Sequence, residues 1–165
     1  MTPTYTAPRT WTAGEVITAA LMNTHVRDMF DFALARGLTP TKDLDGTVGS
    51  TSNSSFTDMG SSFAITTTRA NAVVRCVCFG TATQGNSVDT YNLTLDLDGS
   101  NLGDSTRGVL QLVASTGHSH TFCIDLPVTV SVAGAHTLKL QAKRSAGTSA
   151  SVTITAMVLY AWEMA

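Results

Sequence analysis

Two periodicities divide the chain. Between Thr18 and Gly37, Met22, Val26, Met29, Phe30 and Ala33 recur at steps of three and four and form one apolar face of a helix. Leu21 widens that stripe, while Asn23, Thr24, Arg27, Asp28 and Asp31 stay polar. Thr18 suits the N-cap, Arg36 the last turn, and Gly37 the left-handed stop. From Phe56 onward the period becomes two. Tyr91, Leu93, Leu95 and Leu97 alternate with Asn92, Thr94, Asp96 and Asp98, which predicts a half-buried strand. His136, Leu138, Leu140 and Ala142 do the same against Thr137, Lys139, Gln141 and Lys143. At the end, Val152, Ile154, Ala156, Val158, Tyr160 and Trp162 alternate with Thr153, Thr155 and Met157. Weaker strand patterns fall at 63–68, 72–83, 108–114, 120–126 and 128–132.

Seven or eight strands separated by Gly-, Ser- and Asn-rich turns, with no helix between them, predict an antiparallel β-sandwich, with a jelly roll as the favoured topology. The run Val73-Val74 and Cys76-Val77-Cys78-Phe79 is apolar at both parities. A strand of that kind is expected to be covered on both faces, by the N-terminal arm or by a neighbouring subunit. That expectation places Val74, Cys76 and Cys78 at an oligomer interface.

Ahead of the helix, Pro3 and Pro8 hold residues 1–17 extended, and Tyr5 and Trp11 are costly to leave in water. A lone helix of this length is marginal, so it must pack on something. The expected organisation is therefore an arm and anchoring helix over 1–37, a Gly/Ser/Thr/Asp-rich linker over 38–55, and a β-sandwich head over 56–165.

Composition sharpens this picture. Hydrophobic residues make up 43% and charged residues 13%, so the polar surface is carried by Thr, Ser and Asn. Neutral surfaces solubilise poorly and suit a protein covered by copies or partners. With a net charge of -2 and no basic stripe, nucleic acid is not an expected ligand. No apolar run approaches the roughly 20 residues of a membrane span. The N-terminus lacks a basic start followed by an apolar segment, so synthesis and retention in a cytoplasm, or exit by a route other than a secretory signal, are expected. Cys76, Cys78 and Cys123 form an odd set in apolar contexts and read as reduced, buried thiols.

Candidate chemistry is sparse. Asp96, Asp98, Ser100, Asn101 and Asp104 surround a Gly turn, but Gly99 comes too early for an EF-hand and the twelfth position is Arg107. A hairpin turn is the simpler reading. His118 and His120 fall on one face of a strand and would supply two imidazoles, enough for a metal only if a threefold axis multiplied them. Cys76 and Cys78 share a face that Cys123 could join, without a definite fourth zinc ligand. No Gly-x-Ser-x-Gly, Cys beside His or phosphate loop is present, and Glu occurs only at Glu15 and Glu163. No resident cofactor and no enzymatic activity are expected. A carbohydrate-binding module would need aromatics exposed on one sheet face, whereas aromatics are 7% of the chain and Phe and Tyr fall mostly at inward strand positions.

Two segments carry a resemblance. ProArgThrTrpThrAlaGlyGluValIleThrAlaAlaLeuMetAsnThrHisValArgAsp, over 8–28, resembles an N-terminal segment of tailed-bacteriophage virion proteins. Phe56-Thr57-Asp58-Met59, the turn at 97–99, the stretch 133–137 and the ending Val-Leu-Tyr-Ala-Trp-Glu are similar to trimeric jelly-roll heads of phage fibres and spikes, which are built like tumour-necrosis-factor and complement-type trimers. The resemblance implies a homotrimeric virion protein made in the host cytoplasm and displayed on the particle surface. Its N-terminal residues Tyr5, Trp11, Met22, Val26, Met29 and Phe30 would dock on capsid or tail proteins, and its loops would face a host glycan or protein. Some such fibres carry His-x-His metal sites on their axis, a role the resemblance would give His118 and His120. The chain has no repetitive shaft, which leaves a short spike, a tail-tip component and a capsid decoration (cement) protein or head fibre all open.

Overall fold

The computed structural model describes residues 18, 20, 42–85, 89–114, 117–146 and 151–164. The arm and helix, with Tyr5, Trp11, Met22, Val26, Met29 and Phe30, lie outside the described residues. Among the described residues nine strands follow one another: β1 (Lys42–Thr51), β2 (Thr57–Thr67), β3 (Ala72–Gln84), β4 (Asp89–Leu97), β5 (Ser100–Asn101), β6 (Leu110–Ala114), β7 (Ser119–Val130), β8 (Gly134–Ala146) and β9 (Val152–Glu163).

They form two sheets whose strands all pair antiparallel. One runs β1-β9-β3-β7; the other runs β2-β8-β4, with β5 and β6 both pairing to β4. Without the two-residue β5, the chain changes sheet at every connection except β4 to β6. The first strand pairs with the last, and the second with the last but one. Two chain halves laid side by side and wrapped into a sandwich in this way are a jelly roll, the topology the alternating pattern predicts.

The core lies between the sheets. Met59, Phe63 and Ile65 of β2, Leu93 and Leu95 of β4, and Leu138 and Leu140 of β8 meet Val74, Cys76 and Cys78 of β3, Ile124 of β7, and Ile154, Met157 and Leu159 of β9. Burying each large side chain contributes about 1.5–3 kcal/mol, so this layer is the dominant stabilising term. The turn at 97–100 is a two-residue hairpin, with Asp98 at φ 53° and Gly99 at φ 83°, the left-handed pair that a type I′ turn requires.

Four expectations change. The stretch 38–55 is not a linker throughout, because Lys42–Thr51 is β1 and pairs with β9 from Leu159 to Val152. Its Gly, Ser and Thr residues mask a strand that carries a register shift between Asp45 and Gly49. Second, Val74, Cys76 and Cys78 do not form a surface between subunits: all three are fully buried in the core of a single chain. The opposite parity of β3, including Arg75 and Phe79, faces outward.

Third, the strand buried along both faces is β4, whose residues 91–97 are all buried. Its outward residues are polar and are covered by the chain's own 98–109 loop. Asn92 donates from Nδ2 to Thr106 O (3.0 Å) and accepts from Gln111 Nε2 (3.1 Å), and Asp96 Oδ1 accepts from Gly99 N (3.0 Å). Fourth, Cys123 is exposed, opposite Phe79, so the three cysteines do not share a face.

Candidate functional site

Two places concentrate side chains of functional interest. The first is the outer face of the β1-β9-β3-β7 sheet. Its composition follows from one irregularity in β9: Thr81 of β3 lies opposite Ala156, whereas Ala82 lies opposite Ile154. Thr155 is thus an extra residue, a β-bulge, and it donates from Oγ1 to Thr81 O (3.3 Å). Before it, Val152 and Ile154 point inward; after it, Met157, Leu159 and Ala161 do. Val158, Tyr160 and Trp162, which uninterrupted alternation puts on the face of Val152 and Ile154, are turned outward.

There they join the outward residues of β3. Tyr160 and Phe79 stack with ring centroids 5.8 Å apart and planes at 29°, and Phe79 remains 39% exposed. Val77 lies opposite Tyr160, and Val158 opposite Phe79. Arg75 closes one margin: its guanidinium lies 5.4 Å from the Trp162 ring centroid and its Nε donates to Asp125 Oδ1 (2.8 Å). The hydrogen bonds from Arg75 hold the Asp125 carboxyl below the usual carboxylate value. The result is a continuous apolar and aromatic strip over β9 and β3, with one ion pair beside it.

The outer face of the other sheet is built differently. Asp58 of β2 accepts from Lys139 Nζ and Gln141 Nε2 of β8, each at 2.7 Å. Those bonds lower the Asp58 carboxyl further than its slight burial raises it. Lys143 reaches Ser105 O (3.2 Å) and stands 4.6 Å over the Phe56 ring. One sheet therefore shows water a polar network, the other an apolar strip.

The second place is a recess of about 280 Å³ at one end of the sandwich, lined in part by Leu97, Asp98, Leu102, Val130, Val132 and His136. His136 Nδ1 lies 2.7 Å from Asp98 Oδ2, and Nε2 lies 3.0 Å from Thr67 Oγ1 and 3.1 Å from Val132 O. Hydroxyl, imidazole and carboxylate in that order have the outline of a nucleophile with its base. The surroundings assign another role. Thr67 is 3% exposed and its hydroxyl also accepts from Gly134 N (3.3 Å), while Asp98 Oδ1 accepts from Thr137 N (2.7 Å). The chain of bonds clasps the end of β2, the β4–β5 turn and the β7–β8 turn together. Burial pushes the Asp98 carboxyl up, but the hydrogen bonds from His136 and Thr137 outweigh it and leave it below its ordinary value.

His118 is exposed beside Gly117, and His120 is half-buried on β7 opposite Ala82. His136 is at the clasp with Asp98, whereas Asp125 is paired with Arg75. Among the described residues no group of three or more His, Cys, Asp or Glu side chains is placed to hold a metal ion. Burial pushes the Cys76 and Cys78 thiols up to about 12, which keeps them protonated in the core. What sequence reasoning missed is the outward placement of Tyr160 and Trp162. The available signal was that residues 156–162 are apolar at both parities, so that a one-residue slip leaves the core equally well filled.

No protein-family model matches the chain, and neither does any curated protein. Among solved structures, it is similar to the structure of infectious bursal disease virus Gx strain, with TM-score 0.44, 9% identity, and 75% of this chain and 32% of that one covered. It is similar also to a family 35 carbohydrate binding module from an environmental isolate, with TM-score 0.36, 16% identity, and 70% and 75% covered. A third is the insecticidal delta-endotoxin Cry8Ea1 from Bacillus thuringiensis, with TM-score 0.38, 15% identity, and 70% and 19% covered. The chain spans about a third of the length of the first of these, and the likeness is one of β-sandwich fold alone.

Proposed function

We propose that this is a non-enzymatic structural protein of a tailed-phage particle, a decoration (cement) protein held to capsid proteins through its N-terminal region. The observation that carries the non-enzymatic part is the use of the His136–Asp98 pair as a structural clasp, with Thr67, Val132, Gly134 and Thr137 as its other members. The virion part is supported by residues 8–28, which resemble the N-terminal segment of phage virion proteins. In this reading the chain is made in the host cytoplasm, becomes part of the virion surface, and has neighbouring virion proteins rather than nucleic acid or membrane as its partners. Tyr5 and Trp11 anchor the arm.

A homotrimeric spike or short tail fibre contacting a host glycan is the second reading. It loses its footing in the strand that was to form the trimer interface, because Val74, Cys76 and Cys78 fill the chain's own core. A metal between His118 and His120 of three copies belongs to that second reading only.

The test is the protein composition of particles purified from the phage that encodes this sequence. A copy number in proportion to the major capsid subunit is the expected result. A few copies per particle, lost with the tail, would favour the spike. Absence from the particle would overturn both.

A further inference from the structure

We propose that residues 18–36 pack as an amphipathic helix across the outer face of the β1-β9-β3-β7 sheet of their own chain. Three observations carry this. The first is the chemistry of the face: Val77, Phe79, Val158, Tyr160 and Trp162 form an apolar strip on a sheet that is otherwise half polar. Contiguous apolar surface of this kind marks a contact site.

The second is where the upstream chain ends. Strand β1 begins at Lys42, opposite Leu159, so it enters the sheet on the edge next to β9, one residue from Tyr160. Residues 37–41 can reach at most about 17 Å when extended. The strips of β9 and β3 stand only about 5 and 10 Å from β1 across the sheet, so a helix ending at Gly37 can lie over them.

The third is complementarity of pattern. Met22 to Ala33 places one apolar stripe along about 17 Å of helix. The strip from Val158 to Trp162 runs about 13 Å along β9. A helix of this length is marginal alone and gains its stability from burying such a stripe. Met22, Val26, Met29 and Phe30 are then turned to the sheet. The arm before them, with Tyr5 and Trp11, is left as the part able to dock on a partner. This packing is independent of the virion reading, and its failure would leave the composition of the particle as informative as before.

In the full chain, Trp11→Phe leaves Trp162 as the sole tryptophan. In that background Met29→Glu with Phe30→Glu is expected to red-shift Trp162 emission and roughly double its quenching by acrylamide, by exposing a ring that was covered. Asn23→Glu with Thr24→Glu, on the polar side of the helix, is expected to change neither. Light scattering of the same samples reads the alternative occupants. If the parent is an oligomer that falls to monomers with Met29→Glu and Phe30→Glu, the helix crosses between copies and the proposal is overturned. No shift in either variant, or an equal shift in both, also overturns it. If the first variant fails to fold, hydrogen exchange of the unaltered full chain decides. Protected amides through 20–36 support docking, and exchange at free-peptide rates overturns it.

Discussion

At the scale of single residues, Asp96, Asp98 and Asp104, which drew attention in the sequence, turn out to be fasteners, and so does Glu163. Glu163 is the clearest. It ends β9, its side chain is 5% exposed, and its carboxylate gathers the β2–β3 turn: Thr68 N (2.7 Å) and Thr68 Oγ1 (2.9 Å) donate to Oε2, and Arg69 Nε lies 3.0 Å from Oε1. The Arg69 contact is half-exposed and adds little. The Thr68 bonds matter more, because losing their acceptor strands a backbone N–H in a partly buried place. Glu163→Ala is therefore expected to cost about 2 kcal/mol in a urea titration at neutral pH, and Glu163→Gln about half of that, since the amide oxygen still accepts. Equal stability for all three proteins would show that the turn is held without the clasp. The same logic separates the thiols. Cys76 and Cys78, pushed up to about 12 by burial, are core packing, and Cys123 is the exposed thiol.

At the scale of elements, the bulge in β9 decides which face the aromatics take. It is matched across the sheet by Gly80 of β3, where an added Cβ would stand 2.3 Å from Ala156 O and 3.0 Å from the Phe122 ring. Neither a backbone oxygen in a ladder nor a ring in the core can retreat cheaply. Gly80→Ala is expected to destabilise the protein by about 3 kcal/mol or more, read as a lowered melting temperature, while Thr83→Ala on the outward side stays within about 0.5 kcal/mol. A mild Gly80→Ala would mean that the two strands do not approach this closely. This pairing also explains how much was legible in the chain. Period-two runs such as 91–97 and 136–142 located β4 and β8 and their inward residues correctly, because polar and apolar residues alternate there without ambiguity. Residues 156–162 are apolar at both parities, so one extra residue moves Tyr160 and Trp162 outward with no trace in composition. β1 was hidden for the opposite reason: its Gly-, Ser- and Thr-rich sequence lacks alternation, and pairing with β9 makes it a strand. The apolar strip was therefore illegible on β9, although residues 73–79, apolar at both parities, put part of it on the outward face of β3.

At the scale of the whole molecule, the hydrogen-bonded carboxylates predict how stability follows pH. The carboxyls of Asp58, Asp98, Asp104 and Asp125 are all held below the ordinary 3.8 in the folded chain. Asp58 joins β2 to β8, Asp98 the β4–β5 turn to β8, and Asp125 β3 to β7; Asp104 accepts from the N–H groups of Thr106 and Arg107 within its loop. A depressed native value means that the unfolded chain binds protons first as pH falls. Their contribution is thus fully present well above 3.8 and is lost as pH drops through that value toward the lower native ones. Each group is exposed enough for its individual effect to be small, but the losses fall on both sheets together. The urea midpoint is expected to be flat between about pH 5 and 8 and to fall steeply below about pH 4. Net positive charge at low pH would also destabilise the fold, so the midpoint alone does not assign the cause. Asp58→Asn, Asp98→Asn and Asp125→Asn combined separate the two: the triple variant is expected to start lower at pH 7 and to lose less on acidification. If it instead loses as much as the parent, general repulsion governs the acid limb and the carboxylate fasteners do not.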